Sequence, residues 1–166
     1  LYGEADIGKP KVQAALSRLS ALSSETSFII YPDGITSDNA VEIIGLYDLI
    51  IDCTDNFATR FLINDTCAIL RRPWIMGAIS EFNGQVAVMN YNDGPDLSSL
   101  YDGTGQRASL TSQPAATGGV IGPAPGIIGS IQAAEAFKIL TGMEPALAGR
   151  LLTINLLTMQ TQIFRL

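Results

Sequence analysis

Tyr47-Asp-Leu-Ile-Ile-Asp-Cys-Thr-Asp-Asn-Phe-Ala-Thr-Arg60 is the stretch on which the fold turns. Its first half, Asp48 to Asp52, is a short apolar run bounded by acids, the pattern of a strand buried on both faces of a parallel sheet. Its second half is polar and then takes up helical spacing. Thr54, Asp55 and Asn56 therefore fall where a strand ends and a helix begins. Open α/β sheets bind ligands at that edge, and a carboxylate standing there is a candidate ligand for a metal or a nucleotide.

Upstream, Pro10 at a first-turn position and Val12, Ala15, Leu16, Leu19 and Leu22 at helical spacing predict an amphipathic helix from Pro10 to Leu22. Lys9 and Lys11 stand at its start, where a cation is unfavourable unless it meets an anion. From position alone Lys11 reads as a solvated lysine or as one waiting for such an anion. Thr26 to Tyr31 reads as a strand closed by the turn Pro32-Asp-Gly34, and Ser37 as the cap of a short helix to Gly45 with Val41 and Ile44 inward.

Downstream, Ala58 to Leu70 reads as a helix with Ile63, Cys67 and Leu70 on one face, ended by Arg71-Arg72-Pro73. Trp74 to Ile79 is a buried strand, and after Asn83-Gly84 the alternation of Gln85 to Tyr91 marks a half-buried, antiparallel one. Residues 92–125, rich in Gly, Pro, Ser and Thr, break the rhythm and are either an active-site loop or a plain insertion. A long helix from Ile127 to Thr141 follows, and Arg150 to Asn155 with Met159 to Leu166 form a terminal hairpin. Helices alternating with strands predict one α/β domain over 1–166, a Rossmann-like, doubly wound and mostly parallel sheet with antiparallel C-terminal strands.

Composition narrows the chemistry. With 166 residues, 47% of them hydrophobic, the chain can bury one sizeable core. A net charge of −6 and a pI of about 4.4 argue against nucleic acid, and the scattered basic residues argue against a membrane surface. No run approaches the roughly 20 apolar residues of a membrane span, and the N-terminus has no signal-peptide pattern, so a cytoplasmic location is expected. There is no histidine, which removes His-based triads and His-ligated metals; the two cysteines, Cys53 and Cys67, give neither a disulfide framework nor a zinc spacing. Carboxylates, amines and backbone dipoles remain.

Three stretches together resemble the ThiF/MoeB/HesA family, bacterial relatives of the ubiquitin-activating enzymes: Asp6-Ile-Gly-Lys-Pro-Lys-Val12; Asp52 to Arg60 with Ile63-Asn-Asp65; and Gly119-Val-Ile-Gly-Pro-Ala-Pro-Gly126 running on to Lys138. The resemblance implies an ATP- and Mg²⁺-dependent adenylyltransferase. Its partner would be a ubiquitin-like sulfur carrier of the thiamin or molybdopterin type, whose C-terminal Gly-Gly carboxylate receives AMP as pyrophosphate leaves. By the family's motif, Lys11 matches the lysine that reaches the ATP phosphates and Asp55 the aspartate that binds Mg²⁺. The other reading of Asp55 is a helix N-cap. Asn56 and Arg60 stand at further nucleotide-site positions, and Arg60 either contacts phosphate or pairs with a nearby acid. Asn64 reads as structural. The resemblance also implies a homodimer, for which the apolar C-terminal helix and hairpin would supply the surface.

The chain departs from the pattern in three places. It lacks the family's Gly-rich phosphate loop and the acidic residue that holds the ribose, so it is expected to be the C-terminal two-thirds of the activating domain and to bind ATP poorly alone. Where many relatives place the first zinc-binding cysteine pair, Asp96 and Ser99 stand instead, so no zinc is expected. At the loop position where some relatives carry a reactive cysteine there is Ala115, and Cys53, beside Asp55, reads as a small residue at a crowded strand end. A second function class therefore stays open: a degenerate relative that docks a ubiquitin-like partner without chemistry.

Overall fold

The computed structural model describes residues 1–101, 106–112 and 118–166. Its contacts divide the chain into two compact units, Leu1–Ile35 and Thr36–Leu166.

In the first unit, helix α1 (Lys11–Ser20) follows Pro10, whose ring prepares the first turn. Its apolar residues Val12, Ala15, Leu16 and Leu19 line a shallow groove with Phe28 to Tyr31. The helix stops short of Leu22, which is 69% exposed. The predicted strand over Thr26 to Tyr31 does not form. β-branched and aromatic residues favour a pleated surface, but a strand needs a ladder partner, and this segment has none among the described residues. The turn after it is as expected, closed by the Gly34 N–H donating to Tyr31 O at 3.1 Å.

The second unit holds a five-stranded sheet in the order β1-β2-β3-β4-β5, with β1 Ile50–Asp52, β2 Trp74–Ser80, β3 Asn83–Met89, β4 Arg150–Asn155 and β5 Gln160–Arg165. β1 and β2 run parallel and every later pair is antiparallel. The α/β class and the antiparallel C-terminal strands are as read from sequence. The described sheet nonetheless has a single parallel pair, because the Thr26 to Tyr31 segment that was expected to add another does not pair. β1 also corrects the expectation of a strand buried on both faces: it is an edge strand, and Ile51 is 46% exposed.

Helix α2 (Ala40–Gly45) begins later than expected, and Ser37 does not cap it. A turn in which Asn39 Oδ1 accepts from the Thr36 N–H at 2.8 Å comes first. Starting at Ala40 shifts the buried face to Ala40, Ile43 and Ile44, which leaves Val41 53% exposed. The hairpin between β2 and β3 turns at Glu81-Phe82 rather than at Asn83-Gly84, with Ser80 paired to Asn83. Gly84 lies inside the strand for another reason: a Cβ there would stand 2.3 Å from Ile128.

Helix α3 (Phe57–Leu70) ends as expected, with Arg71 in the left-handed region at φ 51°. Among the described residues of 92–125 stand the short helices α4 (Ser98–Tyr101) and α5 (Arg107–Thr111), and the long helix α6 (Pro123–Leu140) already begins there. Asp96 and Ser99, at the absent cysteine positions, bond to each other at the start of α4. Asn64 has the structural task expected of it: buried on α3, it accepts from the Leu97 N–H at 2.8 Å. Ala115 lies outside the described residues.

Helix α6 (Pro123–Leu140) lays Ile128 and Ala136 on Ile75, Val86 and Val88 of the sheet. Glu135, also buried, fixes the chain beyond the helix by accepting from the Leu147 N–H at 2.9 Å. Successive residues of a strand point to opposite faces. Asp52 meets Arg60 of α3, whereas Cys53 meets Gln132 of α6, so the two helices cover opposite faces of the sheet. No helix among the described residues is long and apolar enough to cross a membrane.

Cys67, fully buried on α3, has its thiol pushed up to about 12, first by burial and then by the charge of Asp52. The unfolded chain ionises this thiol first, near 9.0, so it binds fewer protons than the folded chain above that pH. The stabilising contribution is therefore complete below pH 9 and lost as pH rises toward 12, by about 1.4 kcal/mol per pH unit. Urea unfolding of the parent and of Cys67→Ala across this range should show a steeper alkaline loss in the parent. Parallel curves would contradict the burial.

Candidate functional site

The C-terminal ends of β1 and β2, the start of α3 and the first turns of α6 enclose a cavity of about 520 Å³. That lies within the usual range for small-molecule pockets. Its floor is a polar network which the sequence reading only partly foresaw.

Asp52, at the end of β1, is 1% exposed; its Oδ2 accepts from Arg60 Nε at 2.9 Å and its Oδ1 from the Thr54 N–H at 2.8 Å. Arg60 Nη2 donates to Thr54 O at 2.6 Å and to Gly77 O at 2.9 Å. Of the two readings left open for Arg60, the structure shows pairing with an acid. Across the sheet, Gln132 Nε2 donates to Asp52 O at 2.8 Å and to Ile75 O at 3.2 Å, bridging the two parallel strands. Gly77 makes room for it, since a Cβ there would stand 2.4 Å from the Gln132 amide.

On this floor the turn Thr54-Asp55-Asn56 faces the cavity. The helix cap falls to Asn56, whose Oδ1 accepts from the Thr59 N–H at 2.8 Å, and not to Asp55. Asp55 is exposed, and its only hydrogen bond among the described residues is a long one of 3.4 Å from Asn56 Nδ2. The Thr54 hydroxyl is buried without a protein partner, a polar group left over in the cavity wall.

Asp55, Asn56 and Arg60 are thus brought together at one cavity. Lys11 lies in the first unit, exposed at the first position of α1 and without an ion pair among the described residues. Cys53 donates its thiol to Gln132 Oε1 at 3.6 Å. Its pKa is raised, first by burial and then by the charge of Asp52, so at neutral pH it is a thiol and a poor nucleophile.

The whole chain, residues 1–166, matches the ThiF family. It belongs to that family. It is 40% identical over 166 residues to a probable molybdopterin-synthase adenylyltransferase of Pyropia yezoensis, an alignment covering 100% of this chain and 44% of that protein. It is 41% identical over 162 residues to a sulfur carrier protein adenylyltransferase of Thermus thermophilus, covering 95% of this chain and 59% of that one. The chain thus spans about half the length of these relatives. Among solved structures, Escherichia coli MccB with ATP superposes with a TM-score of 0.79 at 15% identity, over 99% of this chain and 50% of the other, which shows a shared fold.

In this ThiF-family chain the sequence reading missed Asp52, Gln132 and Gly77 as parts of the site. Gln132 carried a readable signal: it is a polar residue within the otherwise apolar stretch from Ile127 to Ala134, where only Ser130 is also polar and bonds its own helix. Such a residue on a sheet-facing helix must find a partner at the strand ends.

Proposed function

We propose that this chain carries the adenylate-forming site of an ATP-dependent enzyme that activates the C-terminal Gly-Gly carboxylate of a ubiquitin-like sulfur-carrier protein. The observation that carries the reading is Asp55: a carboxylate at a cavity rim, released from capping by Asn56, on a chain whose relatives are named as adenylyltransferases of sulfur carriers.

The reaction joins two anions, a carboxylate and the α-phosphate, so the protein must neutralise charge and hold the groups in line. The donor set suits Mg²⁺ arriving on ATP. Asp55 offers oxygen, and no cluster of three ionisable ligands among the described residues could hold an ion alone. Magnesium bound with the nucleotide supplies positive charge along the phosphates. Asp55 would hold it, Asn56 keeps the turn in register with α3, and Lys11, by the family's motif, would be the cation for the phosphates. The cavity beyond Asp55 admits the extended glycine tail, which needs no side-chain pocket.

Both units act as parts of one activating domain. Two copies pair through the apolar surface of α6 and the terminal hairpin, where Phe137 is 61% exposed, Leu140 65% and Ile163 57%. The enzyme works in the cytoplasm. Exchange of pyrophosphate into ATP that requires both the carrier and its terminal glycines tests the reading.

A further inference from the structure

We propose that Arg60 and Asp52 form a positioning pair: they hold the backbone on both sides of Thr54 and thereby set where the Asp55 carboxylate stands. The proposal rests on the role given above to Asp55. It gives Arg60 a task other than touching phosphate.

The geometry is specific to this residue. The peptide before Thr54 is held through the Thr54 N–H by Asp52 Oδ1 at 2.8 Å and the peptide after it through the Thr54 carbonyl by Arg60 Nη2 at 2.6 Å, so neither peptide plane can rotate without breaking a charge-assisted bond. The same Nη2 reaches Gly77 O on β2 at 2.9 Å, which refers the turn to two strands rather than one. Both side chains are shielded from water, with 8% of Arg60 and 0% of Asp52 exposed, so the clamp is little screened. Asp55 follows directly in the chain and has no comparable anchor among the described residues, where its one bond is the 3.4 Å contact from Asn56. A carboxylate on a short turn is placed by its backbone, and here that backbone is fixed one residue earlier. The guanidinium is the suitable cation, because its planar fork serves three acceptors at once where an ammonium would act as a point charge. Its Nε and Nη2 are committed to protein acceptors, as a frame requires.

The test uses the double substitution Asp52→Leu with Arg60→Met in the full chain. Removing both charges leaves no buried charge without a counter-charge, and such replacements are usually well tolerated, although the Thr54 N–H and the Thr54 and Gly77 carbonyls lose their partners. A positioning role predicts that kcat for carrier-dependent pyrophosphate exchange falls about 10–100-fold, the scale seen when groups that orient metal ligands are lost. The KM for ATP should stay within about threefold and the Mg²⁺ concentration for half-maximal rate should rise about tenfold, both on the same reasoning. In the protein without nucleotide, the Thr54 amide should lose its protection from hydrogen exchange while β4 amides keep theirs. If the double variant does not fold, Arg60→Lys, which loses the fork to the Thr54 and Gly77 carbonyls but keeps Asp52 on the Thr54 N–H, is read by kcat, KM for ATP and the Mg²⁺ dependence alone.

Three results overturn the proposal. Normal exchange in the folded double variant would make the pair merely structural. A raised KM for ATP with kcat preserved would make Arg60 a phosphate ligand. Retained Thr54 protection would show that the clamp does not hold the turn. Absence of exchange in the unsubstituted protein defeats the adenylation reading instead, and the amide protection then decides the clamp by itself.

Discussion

Replacing Asp55 with alanine is expected to lower carrier-dependent pyrophosphate exchange by at least about 100-fold, the range typical of removing one group that stabilises developing charge. The unfolding midpoint in urea should not change. Both halves of this expectation come from the same observation. Asp55 is exposed, caps nothing, and receives one long hydrogen bond from Asn56, so the fold does not depend on it. Its carboxylate is free to bind what the cavity receives. Normal exchange in the variant would remove Asp55 from the mechanism. A large drop in stability would mean that it serves the fold after all.

The second large effect is on stability. Asp52→Ala strips the counter-charge from a guanidinium whose side chain is 8% exposed and also leaves the Thr54 N–H unpaired. Breaking a buried ion pair from one side typically costs about 3–5 kcal/mol, because the remaining charge stays buried without a partner. Urea unfolding of Asp52→Ala should show a loss of that order, and a loss under about 1 kcal/mol would mean that water reaches Arg60 as it does in surface pairs. On the proposed reading these neighbouring carboxylates divide the work, Asp52 serving the frame and Asp55 the reaction. Exchange and unfolding measured on both variants separate the two roles.

The parts of this division that were legible in sequence are those set by local chemistry. The apolar run ending at Asp52, the polar turn and the helical spacing after it placed Asp55 at a strand-to-helix edge without any coordinates. Strand β4 was bounded correctly by its own residues, and α3 came within one residue because its end is set by Arg71 to Pro73. What failed depended on which of several partners each group found. Thr26 to Tyr31 has strand composition but no ladder among the described residues, and α2 starts late because Asn39 closes a turn where Ser37 was expected to cap the helix. The cap of α3 went to Asn56 by one position, a difference smaller than spacing alone can resolve. Pairing of Arg60 with a nearby acid was among the sequence readings, but its reach to the Gly77 carbonyl 17 residues on, and that of Gln132 to Asp52 from 80 residues away, depend on the folded sheet.

The central claim is that this site adenylates the end of a protein tail. Exchange of labelled pyrophosphate into ATP should be measured with the full chain, Mg²⁺ and a ubiquitin-like sulfur carrier, once with its Gly-Gly terminus intact and once with the last glycine removed. Exchange with the intact tail and none with the shortened one is the predicted result. Equal exchange with both carriers, or binding of the intact carrier without any exchange, would contradict the claim.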